Sequence, residues 1–160
     1  MTNILVVDDD QSLADNLVEY LIRLGYRATP AYGGVEALET FKSGRYQLVI
    51  TDRMMPEMDG IELLDRIKKI EPETIVLVIT GYGTIDSAVE SLNKGAYDFI
   101  PKPFKLPEIQ VIIERALERQ RLIKKVGVFR KVVFMLALSV PLWILLGVLL
   151  IPYGGVEHGI

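Results

Sequence analysis

Short apolar runs alternate with longer amphipathic segments through the first 120 residues of the chain. Four runs are continuous and rich in β-branched side chains, as strands buried on both faces of a sheet are. They are residues 4–7, 48–50, 75–79 and 99–100, and residues 27–31 form a weaker fifth candidate. Between them, apolar side chains recur at helical spacing, as at Leu13, Leu17, Leu21 and Leu24. The alternation predicts an α/β fold, a doubly wound five-stranded parallel sheet covered by helices on both faces.

Residues with strong end preferences mark where the helices begin and end. Gly25 ends the first helix, and a capping box formed by Asp59 and Glu62 opens the third. Thr84 is placed to cap the fourth, and Pro107 suits the first turn of the fifth. The apolar face of the predicted second helix consists of Val35, Leu38 and Phe41.

The C-terminal part of the chain contains a long run without charge. None of the 20 residues from 132 to 151 is ionisable, and 14 of them are Val, Leu, Ile or Phe. A helix of that length measures about 30 Å, the thickness of the hydrocarbon core of a bilayer. A buried core helix is the alternative, but such a helix usually carries a polar stripe. We therefore predict a transmembrane helix over residues 132–151.

The charges on the two sides of this run predict its orientation. Seven basic side chains precede it, namely Arg115, Arg119, Arg121, Lys124, Lys125, Arg130 and Lys131. Because positive charge stays on the cytoplasmic side, we expect a single-pass protein of the inner membrane with its N-terminal domain in the cytoplasm. The predicted divisions are a soluble domain at 1–120, a basic juxtamembrane helix extension at 121–131, and a short extracytoplasmic tail at 152–160. Gly127 is the expected break in the fifth helix.

Composition excludes several classes of function. Residues 1–125 carry 16 basic and 20 acidic side chains, a net charge of −4 that argues against direct nucleic-acid binding. The chain has no cysteine, which excludes disulfides, thiolate metal sites and cysteine catalysis. Its one histidine, His158, follows the predicted span, so the soluble domain cannot use a histidine base or a phosphohistidine.

Polar residues stand where the predicted strands end. Asp8 and Asp9 follow the first strand, Asp52 the third, Thr80 the fourth and Lys102 the fifth. In a parallel sheet these ends share one edge, where ligands bind. Carboxylates crowded there favour a divalent cation such as Mg²⁺, and a carboxylate can attack a phosphoryl group to form an aspartyl phosphate. An aspartate after one strand is more often a helix cap, so it is the convergence that indicates chemistry.

Four motifs then resemble a known family, the receiver domains of bacterial two-component response regulators. They are VVDDD (6–10), TDRMMPEMDG (51–60), ITGYG (79–83) and GAYDFIPKPF (95–104). They occur in the family's order and spacing over residues 3 to about 120. The resemblance implies a flavodoxin-like fold, phosphorylation by a sensor histidine kinase, and Mg²⁺ as the cofactor.

The resemblance also assigns roles to individual residues. It makes Asp52 the phosphoacceptor and a metal ligand, with Asp8, Asp9 and the backbone carbonyl of Met54 as the other ligands. The remaining implied roles are a switch hydroxyl at Thr80, the invariant lysine at Lys102, a switch aromatic at Phe99 and a cis Lys102–Pro103 bond.

The output is less clear than the chemistry. The sequence is most similar to receivers of enhancer-binding transcriptional activators, but it shows no Gly-rich phosphate-binding loop of an ATPase domain. Our leading hypothesis is a membrane-tethered phosphoacceptor, not a classical enzyme, that signals to a membrane neighbour. The alternatives are an accessory subunit that uses the receiver fold to dock in a membrane complex, and an activator fragment with an unrelated tail. A homodimer also stays open.

Overall fold

A computed structural model describes residues 1–42, 44–81 and 85–150, without the side chains of residues 85–87, 127–130 and 138–150. Strands and helices alternate throughout. In chain order they are β1 (Asn3–Val7), α1 (Gln11–Arg23), β2 (Arg27–Ala31), α2 (Gly34–Thr40), β3 (Leu48–Asp52), α3 (Gly60–Ile70), β4 (Ile75–Thr80), α4 (Ile85–Asn93), β5 (Asp98–Pro101) and α5 (Leu106–Leu150). Residues 1–117 form one compact unit, and residues 118–160 are assigned to a second.

The five strands form one parallel sheet in the order β2-β1-β3-β4-β5. At its centre, Ile50 of β3 lies opposite Val6 of β1 on one side and Leu77 of β4 on the other. Every residue of β3 and β4 is buried. The predicted doubly wound fold is confirmed, including the strand that the sequence marked only weakly.

Two apolar clusters cover the two faces of the sheet. Successive strand residues point to opposite faces, so Ile4 and Ile50 pack with Ile113 of α5, whereas Leu5 and Val49 belong to the other cluster. The first cluster also takes in the inward face of α1, and the second takes in buried residues of α2 and α3. Helices therefore pack on both faces of the sheet, and this packing fixes the position of its carboxyl edge.

The helix ends match most of the predicted signals. Leu24 is the C-cap of α1 and Gly25, with φ of +89°, follows it. The Asp59 carboxylate caps α3 by accepting from the N–H groups of Ile61 and Glu62, at 2.9 and 2.7 Å. Only half of the predicted capping box forms, because the Glu62 carboxylate pairs with Arg66 instead. Thr84 lies outside the described residues.

The predicted apolar face of α2 is partly wrong. The helix buries Gly34 and Ala37, and Val35 is 41% exposed. A Cβ on Gly34 would lie 2.6 Å from the carbonyl oxygen of Met58, so the helix approaches the loop before α3 along its smallest residue. The sequence prediction followed the large apolar side chains, whereas the buried face of the helix contains a glycine because the backbones approach closely there.

Helix α5 starts as expected and ends later than expected. Pro107 lies in its first turn, and the helical backbone continues through Gly127 to Leu150, so the expected break is wrong. One glycine costs a helix only about 1 kcal/mol, which is too little by itself to end the helix. Within the described part of the chain, no helix combines the length and the apolar character needed to cross a membrane. The predicted span at 132–151 falls largely on residues whose side chains lie outside that part, and it stays a prediction.

Candidate functional site

Three charged side chains from three different strand ends meet at the carboxyl edge of the sheet. The Lys102 ammonium lies 3.0 Å from Oδ2 of Asp8 and 2.6 Å from Oδ1 of Asp52. Both carboxylate residues are buried, with 4% and 5% of their surface exposed, while about a quarter of the lysine side chain is exposed. The convergence predicted for these three positions is thus confirmed by their contacts.

Backbone amides hold the two carboxylates in place. The N–H of Met54 donates to Oδ2 of Asp52 at 2.7 Å, and the N–H of Asp10 donates to Oδ1 of Asp8 at 2.9 Å. The other oxygen of Asp52, Oδ1, is buried and has no aligned hydrogen-bond donor among the described residues. Lys102 contacts this oxygen at ion-pair distance but from a direction unsuited to a hydrogen bond. One oxygen of Asp52 is therefore held by a backbone amide, and the other faces the Lys102 ammonium.

Burial and charge act against each other at this site. Burial raises the pKa of Asp8, and the nearby Asp52 charge adds to this, while the Asp10 N–H and Lys102 oppose it. For Lys102, burial lowers the pKa, but the contacts with Asp52 and Asp8 outweigh burial and the pKa is raised overall. The lysine is therefore charged at neutral pH, and its single charge only partly balances two buried carboxylates.

Thr80 and Phe99 lie on β4 and β5, the two strands that follow β3 in the sheet. Thr80 is fully buried at the end of β4, and its carbonyl accepts from the N–H of Lys102 at 2.7 Å. Phe99 is half-buried and packs against the cluster that contains α2 and α3. The Lys102–Pro103 bond is cis, as the resemblance implied. The two residues implied as switches thus lie on β4 and β5, the two strands that follow β3 in the sheet.

The remaining implied ligands are less closely associated. Asp9 is exposed and lines a cavity of about 340 Å³ together with Pro56 and Glu57. Among the described residues, no three carboxylate or imidazole side chains are grouped so as to hold a metal ion. The structure therefore brings Asp8 and Asp52 together but does not place Asp9 with them.

The residues present nevertheless fit Mg²⁺. This ion takes one or two protein carboxylates and completes its shell with waters and phosphate oxygens, so three clustered carboxylates are not needed. Asp8 and Asp52 supply two buried carboxylates with an excess of negative charge, and the Met54 backbone is adjacent. Oδ1 of Asp52, which faces the Lys102 ammonium but has no aligned hydrogen-bond donor among the described residues, is the atom that such an ion would contact.

Gly60 is a further residue of the site, which sequence reasoning did not single out. A Cβ at this position would lie 2.1 Å from the carbonyl oxygen of Asp52. Its N–H also donates to the Arg53 carbonyl at 2.9 Å. The start of α3 is therefore seated directly against the end of β3, which fixes the backbone that carries Asp52. The available signal is its place at the end of the TDRMMPEMDG motif (51–60), directly after the helix cap Asp59.

The chain is similar to one part of several curated transcriptional regulators. The transcriptional regulatory protein ZraR of Klebsiella oxytoca is 42% identical over 120 residues, which are 75% of this chain and 27% of the relative. The DNA-binding transcriptional regulator NtrC of Azospirillum brasilense is 37% identical over 114 residues, 71% of this chain and 24% of the relative. The chain thus spans about a quarter of the length of these curated relatives.

Solved structures are also similar to this chain. A response regulator receiver domain protein from Clostridium thermocellum superposes with a TM-score of 0.71 at 31% identity, over 77% of this chain and 99% of the other. NtrX from Brucella abortus gives a TM-score of 0.73 at 38% identity, over 79% of this chain and 30% of the other. Residues 4–114 match the family described as the response regulator receiver domain. The chain therefore belongs to the response regulator receiver family, close to the receivers of NtrC- and ZraR-type activators.

Proposed function

We propose that this protein accepts a phosphoryl group from a sensor histidine kinase on Asp52, in a reaction that depends on Mg²⁺. Receiver domains are signalling domains that are phosphorylated on an aspartate in two-component systems. The observation that carries the assignment to Asp52 is its environment. Its carboxylate is buried, one oxygen has no aligned donor, and the Lys102 ammonium lies 2.6 Å away.

The chemistry follows from this arrangement. A carboxylate oxygen of Asp52 attacks the phosphorus of a phosphohistidine, the P–N bond breaks, and the imidazole leaves and takes up a proton. Lys102 and the Thr80 hydroxyl stabilise the negative charge on the transferred oxygens. Asp8 and Asp52 would hold the Mg²⁺, with Asp9 and the Met54 carbonyl as the further ligands that the family resemblance implies, and the ion would supply further charge neutralisation. The protein catalyses its own phosphorylation and dephosphorylation and does not turn over a separate substrate.

The readout of phosphorylation is a change at the end of the sheet. The new charge draws the Thr80 hydroxyl towards the phosphoryl oxygens, and Phe99 rotates inward, which alters the surface formed by α4 and β5. The full burial of Thr80 and the partial burial of Phe99 on neighbouring strands support this proposal. Identical NMR shifts on that surface with and without a phosphoryl mimic would instead make Phe99 a static core aromatic.

The direct test is labelling of the intact chain. Incubation with Mg²⁺ and acetyl phosphate should add one phosphoryl group that is stable in acid and labile in base, as intact-mass measurement can show. Asp52→Asn should abolish the addition, and removal of divalent cations with a chelator should suppress it. Asp65→Asn, an exposed aspartate on α3 that pairs with Lys69, is the matched control and should label normally. Labelling of Asp52→Asn at wild-type stoichiometry would overturn the assignment.

The second part of the proposal is the location of the protein. We propose that residues 132–151 span the inner membrane, with the receiver in the cytoplasm, the C-terminus outside, and a membrane protein as the neighbour that receives the signal. The supporting observation is a run of 20 residues without charge that follows seven basic side chains.

Fractionation tests this location. The full chain should stay with membranes after extraction with high salt or carbonate, whereas a chain lacking residues 126–160 should be released. Salt would remove a protein held only by its basic side chains, because that attraction is screened within about 10 Å at 0.1 M. Recovery of the full chain in the soluble fraction would exclude the tether. Co-purification of a stoichiometric membrane partner in mild detergent would favour the accessory-subunit alternative.

A further inference from the structure

An ion pair joins the residue after Asp52 to helix α4. The guanidinium of Arg53 donates from Nη2 to Oε2 of Glu90 at 3.2 Å, across 37 positions of sequence. About a fifth of the Arg53 side chain is exposed, against nearly half of the Glu90 side chain. Lys94, directly after the last residue of α4, lies 3.4 Å from the other Glu90 oxygen, Oε1. Glu90 therefore bridges two cations, one of them adjacent to the phosphoacceptor.

The backbone of Arg53 is fixed on both sides. Its N–H donates to the carbonyl of Ile79 on β4 at 2.7 Å, and its carbonyl accepts from the N–H of Gly60 at 2.9 Å. The backbone of Arg53 therefore holds a constant position relative to Asp52, whereas its side chain can exchange one ion-pair partner for another. Helix α4 follows β4, which ends at Thr80. The Arg53–Glu90 pair therefore connects the phosphoacceptor loop to a helix whose surface phosphorylation is proposed to alter.

We propose that the Arg53–Glu90 ion pair is a latch that holds α4 in its unphosphorylated position and competes with the phosphoryl group for the Arg53 guanidinium. This inference rests on the proposed phosphorylation of Asp52. The phosphoryl group carries a charge of about −1.5 to −2 where the Asp52 carboxylate carried −1, and a guanidinium binds phosphate oxygens in a favourable fork geometry. Phosphorylation draws the Arg53 guanidinium away from Glu90, and Glu90 keeps Lys94 as its partner. The contact between Arg53 and α4 is then lost, so α4 is released.

Such competition has a reciprocal consequence. If the phosphoryl group weakens the Arg53–Glu90 pair, then loss of the Glu90 carboxylate must strengthen binding of a phosphoryl group or its mimic by the same factor. A partly exposed ion pair of this kind changes an equilibrium constant by only about two- to five-fold.

The experiment measures beryllofluoride binding to the full chain by ¹⁹F NMR, with Mg²⁺ present, beside the rate of acetyl phosphate labelling. Glu90→Gln should tighten beryllofluoride binding by about two- to five-fold and speed labelling. Glu62→Gln removes the same charge from an exposed pair with Arg66 on α3 and should change neither. Lys94→Gln leaves the Arg53 contact in place and should not tighten binding.

The decisive comparison is made in an Arg53→Gln background. There the latch is already absent, so adding Glu90→Gln should have no further effect. An equal gain from Glu90→Gln in both backgrounds would show that simple loss of negative charge is responsible and would overturn the latch, as would wild-type binding by Glu90→Gln. If the wild-type chain itself takes up no phosphoryl group, the proposed function fails instead, so the two failures are distinguishable.

Discussion

The interior of the sheet and its carboxyl edge are formed by the same strands, yet they are built on opposite principles. In the interior, Ile50 and Leu77 are surrounded by apolar neighbours and lose no hydrogen bond on burial. At the edge, Asp8 and Asp52 are equally buried, but they carry charges that one lysine balances only in part. The interior maximises stability, whereas the edge gives up stability for the site that we propose to receive a cation and a phosphoryl group.

The interior should respond to truncation with a large loss of stability and no loss of chemistry. Leu77→Ala removes a side chain with no exposed surface from the centre of the sheet, and we expect it to lower the free energy of unfolding by about 3 kcal/mol. Urea denaturation followed by circular dichroism measures this. Leu92→Ala, at a position 48% exposed, should cost far less, and the folded fraction of both variants should still be labelled on Asp52. An equal loss for the two variants would contradict the comparison.

The edge should respond in the opposite way. Lys102→Met keeps the aliphatic part of the side chain but removes the charge that faces Asp8 and Asp52. We expect labelling at saturating Mg²⁺ to slow by about 100-fold, because a positioned charge at the transferred oxygens is lost. Lys105→Met removes an exposed lysine three residues later and serves as the control. A labelling rate within a factor of two of the wild type would show that Lys102 has only a structural role.

A gain of stability should accompany loss of function at Asp8. Burial raises its pKa above the ordinary 3.8, so the folded protein holds that proton more tightly than the unfolded chain does. The stability contributed by this group is therefore complete below pH 3.8 and is lost as the pH rises through the raised value. At neutral pH without divalent cations, Asp8→Asn should be more stable by about 1 kcal/mol.

Thermal unfolding with and without Mg²⁺ measures this effect. The advantage of Asp8→Asn should shrink when Mg²⁺ is added, since only the wild-type carboxylate gains from the ion. Asp98→Asn, at the start of β5 and away from the cluster, is a matched control. A less stable Asp8→Asn in metal-free buffer would mean that the contact with Lys102 outweighs the cost of burying the charge.

The smallest effect is expected at a polar group of the interior itself. Tyr46 is buried, its ring stacks on Phe41 with centroids 6.1 Å apart, and its hydroxyl has no hydrogen-bond partner among the described residues. Tyr46→Phe removes that hydroxyl and keeps the ring, so it should be neutral or stabilising by up to about 1 kcal/mol. A clear loss of stability in urea denaturation would reveal a partner for the hydroxyl.

The sequence predicted the parts of this molecule that depend on local pattern. Apolar runs and cap residues were sufficient for the strands and most helix ends, and polar residues at strand ends were sufficient for the meeting of Asp8, Asp52 and Lys102. It did not predict contacts that depend on close packing or on long side chains from distant elements. The approach of Gly60 to the Asp52 backbone and the pairing of Arg53 with Glu90 have no periodicity, because each depends on how two elements dock. The exposure of Val35 has the same origin.

The contact between Lys102 and Asp8 joins residues 94 positions apart in the chain. It forms only after β5 has been synthesised and has docked beside β4, the last strand addition in chain order. A nascent or truncated chain that ends before residue 102 contains Asp52 but lacks the cation that contacts it, so we expect it to accept a phosphoryl group far more slowly than the complete domain does. We therefore expect competence for phosphotransfer to mature with the completed sheet, since the cation that faces Asp52 arrives with its last strand in chain order.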